Sequence, residues 1–489
     1  MKRFALILCL FGSTAPAADL LAVYQRALQN DPQLREAEAT RLAALEAKPQ
    51  ALSALLPQLS GNGTISRERD TGTQNTTEAV TLPPCAPGAP AGSPCAPAGT
   101  NSTVFESFPF SGKVDTTIHH YTVDLKQSLF RWENWQALKR ADSQVAQAEA
   151  DYQAAQQDLM ERVAQRYFDV LGAQDDLQAQ QMALISVTRQ LEQAEARYQI
   201  GLIAVTDVEE ARASHDSTAA AVIAAKRALA STEELLREII GDPFDHLAVP
   251  VEPFDTANPD PVSEDRWVEM ALQQNLSLVS SRLAADIARE NVSIQRGGHF
   301  PSLDLVGSAG KLTNNGVDSF DDGSPAGGTT LDQRQRSIGI QLTFPIYSGG
   351  LVSSQVRQAV YQHRAAKERL ERVARQTEHA EIGVLSEISR VKALHRAVES
   401  NLTALRATES GYEAGTRTAV DVLQSRQQWV QAQTDYAHSR YDYMLNVIKL
   451  QQAAGTLSEQ SLQRLNALLT DTPPPPPPTD VSPPAARVN

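Results

Sequence analysis

Residues 131–200 run for 70 positions without a proline and with one glycine, Gly172. Residues 351–410 do the same over 60 positions, with Gly383 alone. Unbroken, such helices reach roughly 90 to 105 Å at the α-helical rise per residue. An ordinary compact domain has no room for them. Each is followed by a shorter partner, 204–240 and 418–454, with 37 residues and neither proline nor glycine. Good helix formers dominate throughout. Val222, Leu229, Leu236 and Ile240 are spaced by seven, seven and four, as in a coiled-coil seam. The residues between them are mostly alanine and polar, and bury little apolar surface each. Helices of this kind need neighbours on both sides.

Long and short helices are joined twice by related stretches. One is Arg197-Tyr198-Gln199-Ile200-Gly201-Leu202-Ile203-Ala204-Val205-Thr206-Asp207-Val208, and the other is Gly411-Tyr412-Glu413-Ala414-Gly415-Thr416-Arg417-Thr418-Ala419-Val420-Asp421-Val422. Each has a Tyr, a Gly three residues later and an Asp-Val six residues after that. Glycine suits the left-handed end of a helix. The following Thr or Asp can cap the next helix or stabilise its start. The reading is a tight turn at the tip of a helical hairpin, made twice, with Gly201 and Gly415 at the turns.

The chain is also duplicated. Ala27, Leu28, Asp31, Pro32 and Leu34 return 244 residues later as Ala271, Leu272, Asn275, Leu276 and Leu278. The same offset carries Leu56-Pro57-Gln58-Leu59 onto Phe300-Pro301-Ser302-Leu303. The repeats span 19–243 and 263–460, joined by a proline-rich linker at 244–262. Pro49 marks a break in the helical start of the first repeat.

Between the starting helices and the long helix, each repeat offers two strands. Tyr121, Val123 and Leu125 alternate with Thr122, Asp124 and Lys126, and Ile338, Ile340, Leu342 and Phe344 alternate with Gly339, Gln341 and Thr343. Strands are expected over about 59–69, 113–129, 301–312 and 335–346, with polar loops over 70–112 and 313–334. Some ten residues suffice for a tilted strand to cross a bilayer. Four strands cannot close a barrel in lipid, so several chains must share one. A small soluble sheet in each repeat is the alternative.

Residues 1–17 are read as a signal peptide: Lys2 and Arg3, an apolar run over 4–11, then Ala15-Pro16-Ala17. The net charge of −14 becomes more negative once it is removed, which argues against a nucleic-acid partner. Cys85 and Cys95 lie in a Pro/Gly/Ala-rich segment. In an exported protein they read as one local disulfide, with two free surface thiols as the alternative. No catalytic constellation, metal-ligand spacing or cofactor motif stands out, and the chain is read as a non-enzyme without a cofactor. His119 and His120 are adjacent on a strand and face opposite ways. Residues 461–489 are read as a short helical segment followed by a disordered proline-rich tail.

The order of these parts, with Leu55-Leu56-Pro57-Gln58-Leu59, Leu125-Lys126-Gln127-Ser128-Leu129-Phe130, Leu342-Thr343-Phe344-Pro345-Ile346-Tyr347-Ser348-Gly349-Gly350 and both tip sequences, resembles the TolC family of outer-membrane channel proteins over about 19–470. The resemblance implies a mixed α/β membrane protein of Gram-negative bacteria. Three chains, each with four strands, form one twelve-stranded outer-membrane barrel, continued by a helical periplasmic tunnel. It implies a homotrimer in outer-membrane lipid. A periplasmic adaptor (membrane fusion) protein and an inner-membrane pump of the RND, MFS or ABC type are its partners. The function implied is passive export of drugs, small toxic compounds or proteins through tripartite pumps or type I secretion systems.

Carried over by motif, Arg417 bonds Thr206 and Asp207 of a neighbouring chain, and Tyr412 bonds Asp207 of its own. Asp421 matches the first of two aspartates ringing the family's narrowest point. The second is Gln424 here, a departure that weakens the implied cation selectivity. The 70–112 loop is expected to be extracellular. The rival reading is an envelope-exposed structural or adhesive coiled-coil trimer without channel activity.

Overall fold

The computed structural model describes residues 18–88, 90, 95–97, 103–244, 246–251, 253–254, 256, 260–261, 263–320, 325–379 and 384–470. The expected signal peptide and the tail beyond 470 lie outside them, as does Gly383. The chain divides into two compact units. One draws on Met1–Ala47, Arg140–Arg289 and Ala359–Asn489, and the other on Lys48–Lys139 and Glu290–Gln358.

The second unit holds a four-stranded antiparallel sheet of β1 (Gln58–Thr81), β2 (Thr103–Phe130), β4 (Ser302–Phe320) and β5 (Pro325–Thr343), in the order β1-β2-β4-β5. Pairing runs from Gln58↔Lys126 to Thr81↔Thr103 in the first hairpin and from Ser302↔Thr343 in the second. Directly opposed residues share a face. The register therefore sets Leu59, Tyr121, Val123, Leu125, Leu305, Ile338, Ile340 and Leu342 on one side, with Lys311, Arg334 and Arg336 further along it. The other side carries Asn62, Thr122, Asp124 and Ser308, where Asn62, Thr122 and Ser308 all donate to the Asp124 carboxylate. Several residues of the apolar side are more than half exposed in the single chain, Ile338 at 78% and Leu59 at 72% among them. The outer edges of β1 and β5 have no strand partner among the described residues.

The sheet corrects the expected loops. β1 and β2 reach Thr81 and Thr103, so most of 70–112 is a two-stranded ribbon. β2 pairs with β4 only as far as Gly112↔Phe320, and the ribbon continues past that point. Thr, Val and Phe in 71–81 and 103–110 suit a pleated strand, and pairing with the partner strand decides the matter. β4 and β5 likewise extend through most of 313–334. Beyond the ribbon, Cys85 and Cys95 are disulfide-bonded, with Cα atoms 5.0 Å apart. The Cys85 amide also donates to the Ala96 carbonyl at 2.8 Å.

Most of the helix lies in the first unit. α1 (Leu20–Asn30), α2 (Pro32–Leu45) and α3 (Ala47–Ser53) open the chain. The break falls at Glu46 rather than Pro49, which sits in the first turn of α3, where proline is tolerated. α4 (Trp132–Gln199) and α5 (Val205–Ile240) form the first long hairpin. β3 (Val249–Pro250), α6 (Glu264–Gln274) and α7 (Leu276–Gly297) follow. The second long segment is α8 (Leu351–His379) and α9 (Val384–Glu413), then α10 (Ala419–Ala453), α11 (Glu459–Asn466) and β6 (Leu469–Thr470), which pairs with β3. Nearly all of α3 and the adjoining ends of α4, α7 and α8 belong to the second unit. α9 and α10 pack more closely along their length than α4 and α5. Asp31 and Asn275, matched by the 244-residue offset, make the same caps. Asp31 accepts from Leu34 N at 2.9 Å and Asn275 from Leu278 N at 3.0 Å. No helix among the described residues is long and apolar enough to cross a membrane.

The core of this unit gathers Leu20 and Val23 of α1, 159–171 of α4, Leu236 and Ile240 of α5, Met444 and Ile448 of α10 and Leu462 of α11. Asp31, nearly fully buried, is held by Arg162 at 2.9 Å. Gly172, the one glycine of α4, lies against the His438 ring of α10. A methyl group added there would sit 2.9 Å from His438 Cε1. His438 Nε2 is 3.0 Å from Asp176 Oδ1. That hydrogen bond raises the imidazole pKa against a partial desolvation, helped by the charges of Asp442 and Asp175. Because the folded-state value is the higher one, the stabilisation is full below the ordinary imidazole pKa of about 6.5 and is lost as pH rises through the raised value. His438→Gln should therefore lower the unfolding temperature near pH 5.5 and change it little near pH 8.5. Equal losses at both values, by scanning calorimetry, would contradict this.

Candidate functional site

The tips of the two long hairpins have the same backbone. At the first, Gly201 adopts φ +76°, with Gly201 N bonded to Tyr198 O and Leu202 N to Arg197 O. At the second, Gly415 adopts φ +73°, with Gly415 N bonded to Tyr412 O and Thr416 N to Gly411 O. Only glycine takes this left-handed conformation without strain, so the Tyr-x-x-Gly spacing fixes where each long helix ends.

The next helices start differently. Thr418 caps α10 in a capping box: its hydroxyl accepts from Asp421 N, and the Asp421 carboxylate accepts from Thr418 N at 2.9 Å. These bonds hold the Asp421 pKa below its ordinary value. α5 starts at Ala204, which has no oxygen to cap with, and the side-chain cap expected there is absent. Thr206 and Asp207 instead occupy the exposed first turn of α5, where the Asp207 charge suits the helix start.

Among the described residues, the side chains of Thr206, Asp207 and Arg417 make no hydrogen bond or ion pair within the chain, and all three are exposed. Gln424 is exposed on α10, one turn after Asp421. Tyr412 departs from the implied arrangement. Its hydroxyl accepts from Arg197 Nη1 at 2.8 Å, and no hydrogen bond links it to Asp207 among the described residues. The Arg197 guanidinium also lies over the Tyr412 ring, 5.1 Å from its centroid. Arg197 sits in the last turn of α4, beside the glycine turn. Tyr198, the counterpart of Tyr412, is 47% exposed, so the two tips are chemically unlike.

Sequence reasoning also passed over a pair of ion pairs. Arg212 of α5 reaches Glu195 of α4 at 3.2 Å, and Arg426 of α10 reaches Glu409 of α9. Each pair is 17 residues apart. Counted from Gly201 and Gly415, both pairs stand at the same two positions. Opposite charges recurring at one offset around both tips were the signal that could have revealed them.

A model of the outer membrane efflux protein family matches residues 23–242 and 267–456. Outer membrane protein TolC of Vibrio cholerae is 35% identical over 462 residues, which cover 93% of this chain and 95% of that protein. Proteases secretion protein PrtF of Dickeya chrysanthemi is 27% identical over 489 residues, covering 96% and 94%. The CmeC outer membrane channel of Campylobacter jejuni is similar in fold, with a TM-score of 0.67 at 19% identity, over 92% of this chain and 89% of that one. With a family model spanning most of its length and a curated relative matched nearly end to end, this chain belongs to the outer membrane efflux protein family.

Proposed function

We propose that the chain is the outer-membrane exit duct of tripartite efflux pumps and type I secretion systems, passing drugs, small toxic compounds or proteins from the periplasm to the outside. The observation that carries this reading is the sheet: an apolar band of Leu59, Val123, Leu125, Leu305, Ile338, Ile340 and Leu342 on one face, polar residues on the other, and two edges open among the described residues. In lipid an open edge leaves backbone groups unsatisfied. Pairing β1 of one copy with β5 of the next removes every edge. Three copies give a twelve-stranded barrel with the apolar band outward. The helical hairpins form the periplasmic tunnel, and a periplasmic adaptor and an inner-membrane pump of the RND, MFS or ABC type drive export.

The tips are the gate of this duct. Among the described residues the Arg417 side chain makes no hydrogen bond or ion pair in its own chain, and neither do those of Thr206 and Asp207; each Arg417 bonds that pair on its neighbour. Arginine to carboxylate is charge-assisted and can be bidentate, yet exposed pairs stay weak enough to break when a partner binds. Asp421 lines the constriction with Gln424 one turn on, giving three carboxylates around the axis where a second acidic position would give six. Gln424→Asp should shift the reversal potential further toward cation selectivity and strengthen block by trivalent cations. Reversal potentials equal to those of the parent would remove Gln424 from the constriction. Deletion of the gene in its native host tests the whole reading. Accumulation of a fluorescent efflux dye should rise several-fold and return to normal on re-expression, and unchanged accumulation together with unchanged protein secretion would overturn it.

A further inference from the structure

The contact between Arg197 and Tyr412 links the two hairpins of one chain at their tips. Arg197 lies one turn before Gly201 and Tyr412 just before Gly415. Each hairpin is tied within itself, the first by Glu195 to Arg212 and the second by Glu409 to Arg426 and by the Ser425 hydroxyl donating to Thr408 at 3.2 Å. Above the tips, α4 and the α9–α10 hairpin part around a cavity of about 420 Å³, lined in part by Met182, Ile185, Arg189, Leu402 and Trp429. Above the cavity they meet again. His438 lies on Gly172 and bonds Asp176, Tyr441 donates to Asp175 at 2.7 Å, and the Tyr441 ring stacks on Phe168. The second hairpin is therefore anchored at one level and clasped at its tip, with the cavity between.

We infer that Arg197 is a gate residue: it clasps the second hairpin's tip to the first, and breaking its hold on Tyr412 lets the second hairpin swing as a unit about the His438–Tyr441 anchor. This rests on the duct reading and adds to it a contact inside each chain. The clasp has two parts, a hydrogen bond to the hydroxyl and a cation held over the ring face. Tyr412→Phe removes the first alone, Arg197→Ala removes both, and Arg197→Lys keeps a charge without the planar group. Arg197 is only half-buried, so its truncation spares the core.

The test is single-channel conductance in planar bilayers, on protein first shown to be a folded oligomer, with Arg417→Ser as a reference for a gate contact between chains. The expected order of conductance is parent, then Tyr412→Phe, then Arg197→Ala, with Arg197→Lys below Arg197→Ala. Adding Tyr412→Phe to Arg197→Ala should change nothing further, because both act on one contact. Parent-sized steps from Arg197→Ala alongside enlarged steps from Arg417→Ser would overturn the clasp and leave the duct standing. Fully additive effects of Arg197→Ala and Tyr412→Phe would also overturn it, since the two side chains would then act apart. Absence of any steps from every folded variant would remove the duct itself and the clasp with it.

Discussion

Replacing Arg417 by Ser and Tyr412 by Phe in one protein should enlarge its single-channel conductance several-fold. The Arg417 change removes a tip cation that makes no hydrogen bond or ion pair in its own chain among the described residues, and the Tyr412 change removes the hydroxyl that Arg197 holds at 2.8 Å. Exposed contacts of this kind are each worth roughly 0.2 to 1 kcal/mol. Two per chain in the proposed trimer sum to about 1 to 6 kcal/mol, a range whose upper end reaches the roughly 5.5 kcal/mol that carries a two-state gate from mostly shut to mostly open. Either change alone leaves half of the restraint in place and should give intermediate steps. Steps of parental size from the double variant would place the barrier elsewhere, at Asp421 or above it.

Tyr167→Ala lowers the stability of the helical unit by about 3 to 5 kcal/mol. Tyr167 is fully buried in α4. Its ring meets Phe168 edge-on at 5.7 Å, and its hydroxyl donates to the Ala248 carbonyl at 2.7 Å. The substitution empties a site among large side chains and strands that carbonyl. Tyr167→Phe keeps the ring and should cost about 1 to 2 kcal/mol for the lost hydrogen bond. Urea unfolding followed by circular dichroism separates the two. A Tyr167→Ala midpoint equal to the parent's would mean that the α1, α4 and α10 core is not what holds the unit together.

What the sequence reveals here depends on how narrow the chemistry is at each place. Gly201 and Gly415 could be placed because positive φ leaves almost no other residue, and both take it. The apolar side of the sheet could be read because alternation has a period of two, and Leu59, Val123 and Ile338 fall on one face as that period requires. Strand length was hidden. Thr71 to Thr81 has no strong pattern of its own, and it is a strand because Thr103 to Lys113 lies beside it. Arg197 was hidden for a related reason. Its partner is 215 residues away, and the tip motif drew attention to Asp207 instead. The His438–Asp176 bond joins residues 262 apart. Only Gly172, isolated in a 68-residue helix, hinted that something lay against it. Asp421 carried two meanings from the start, cap and pore lining. The structure assigns it the cap, and one side chain in the first turn of a helix can serve both.

The most direct check is planar-bilayer recording of the purified, folded parent protein with no partner present. A trimeric duct gated at its tips predicts small, discrete steps that carry cations in preference to anions, governed by the Asp421 ring and the closed tips. Silence from a demonstrably folded trimer would contradict it, because three sheets with one apolar face and paired edges would then enclose no open path.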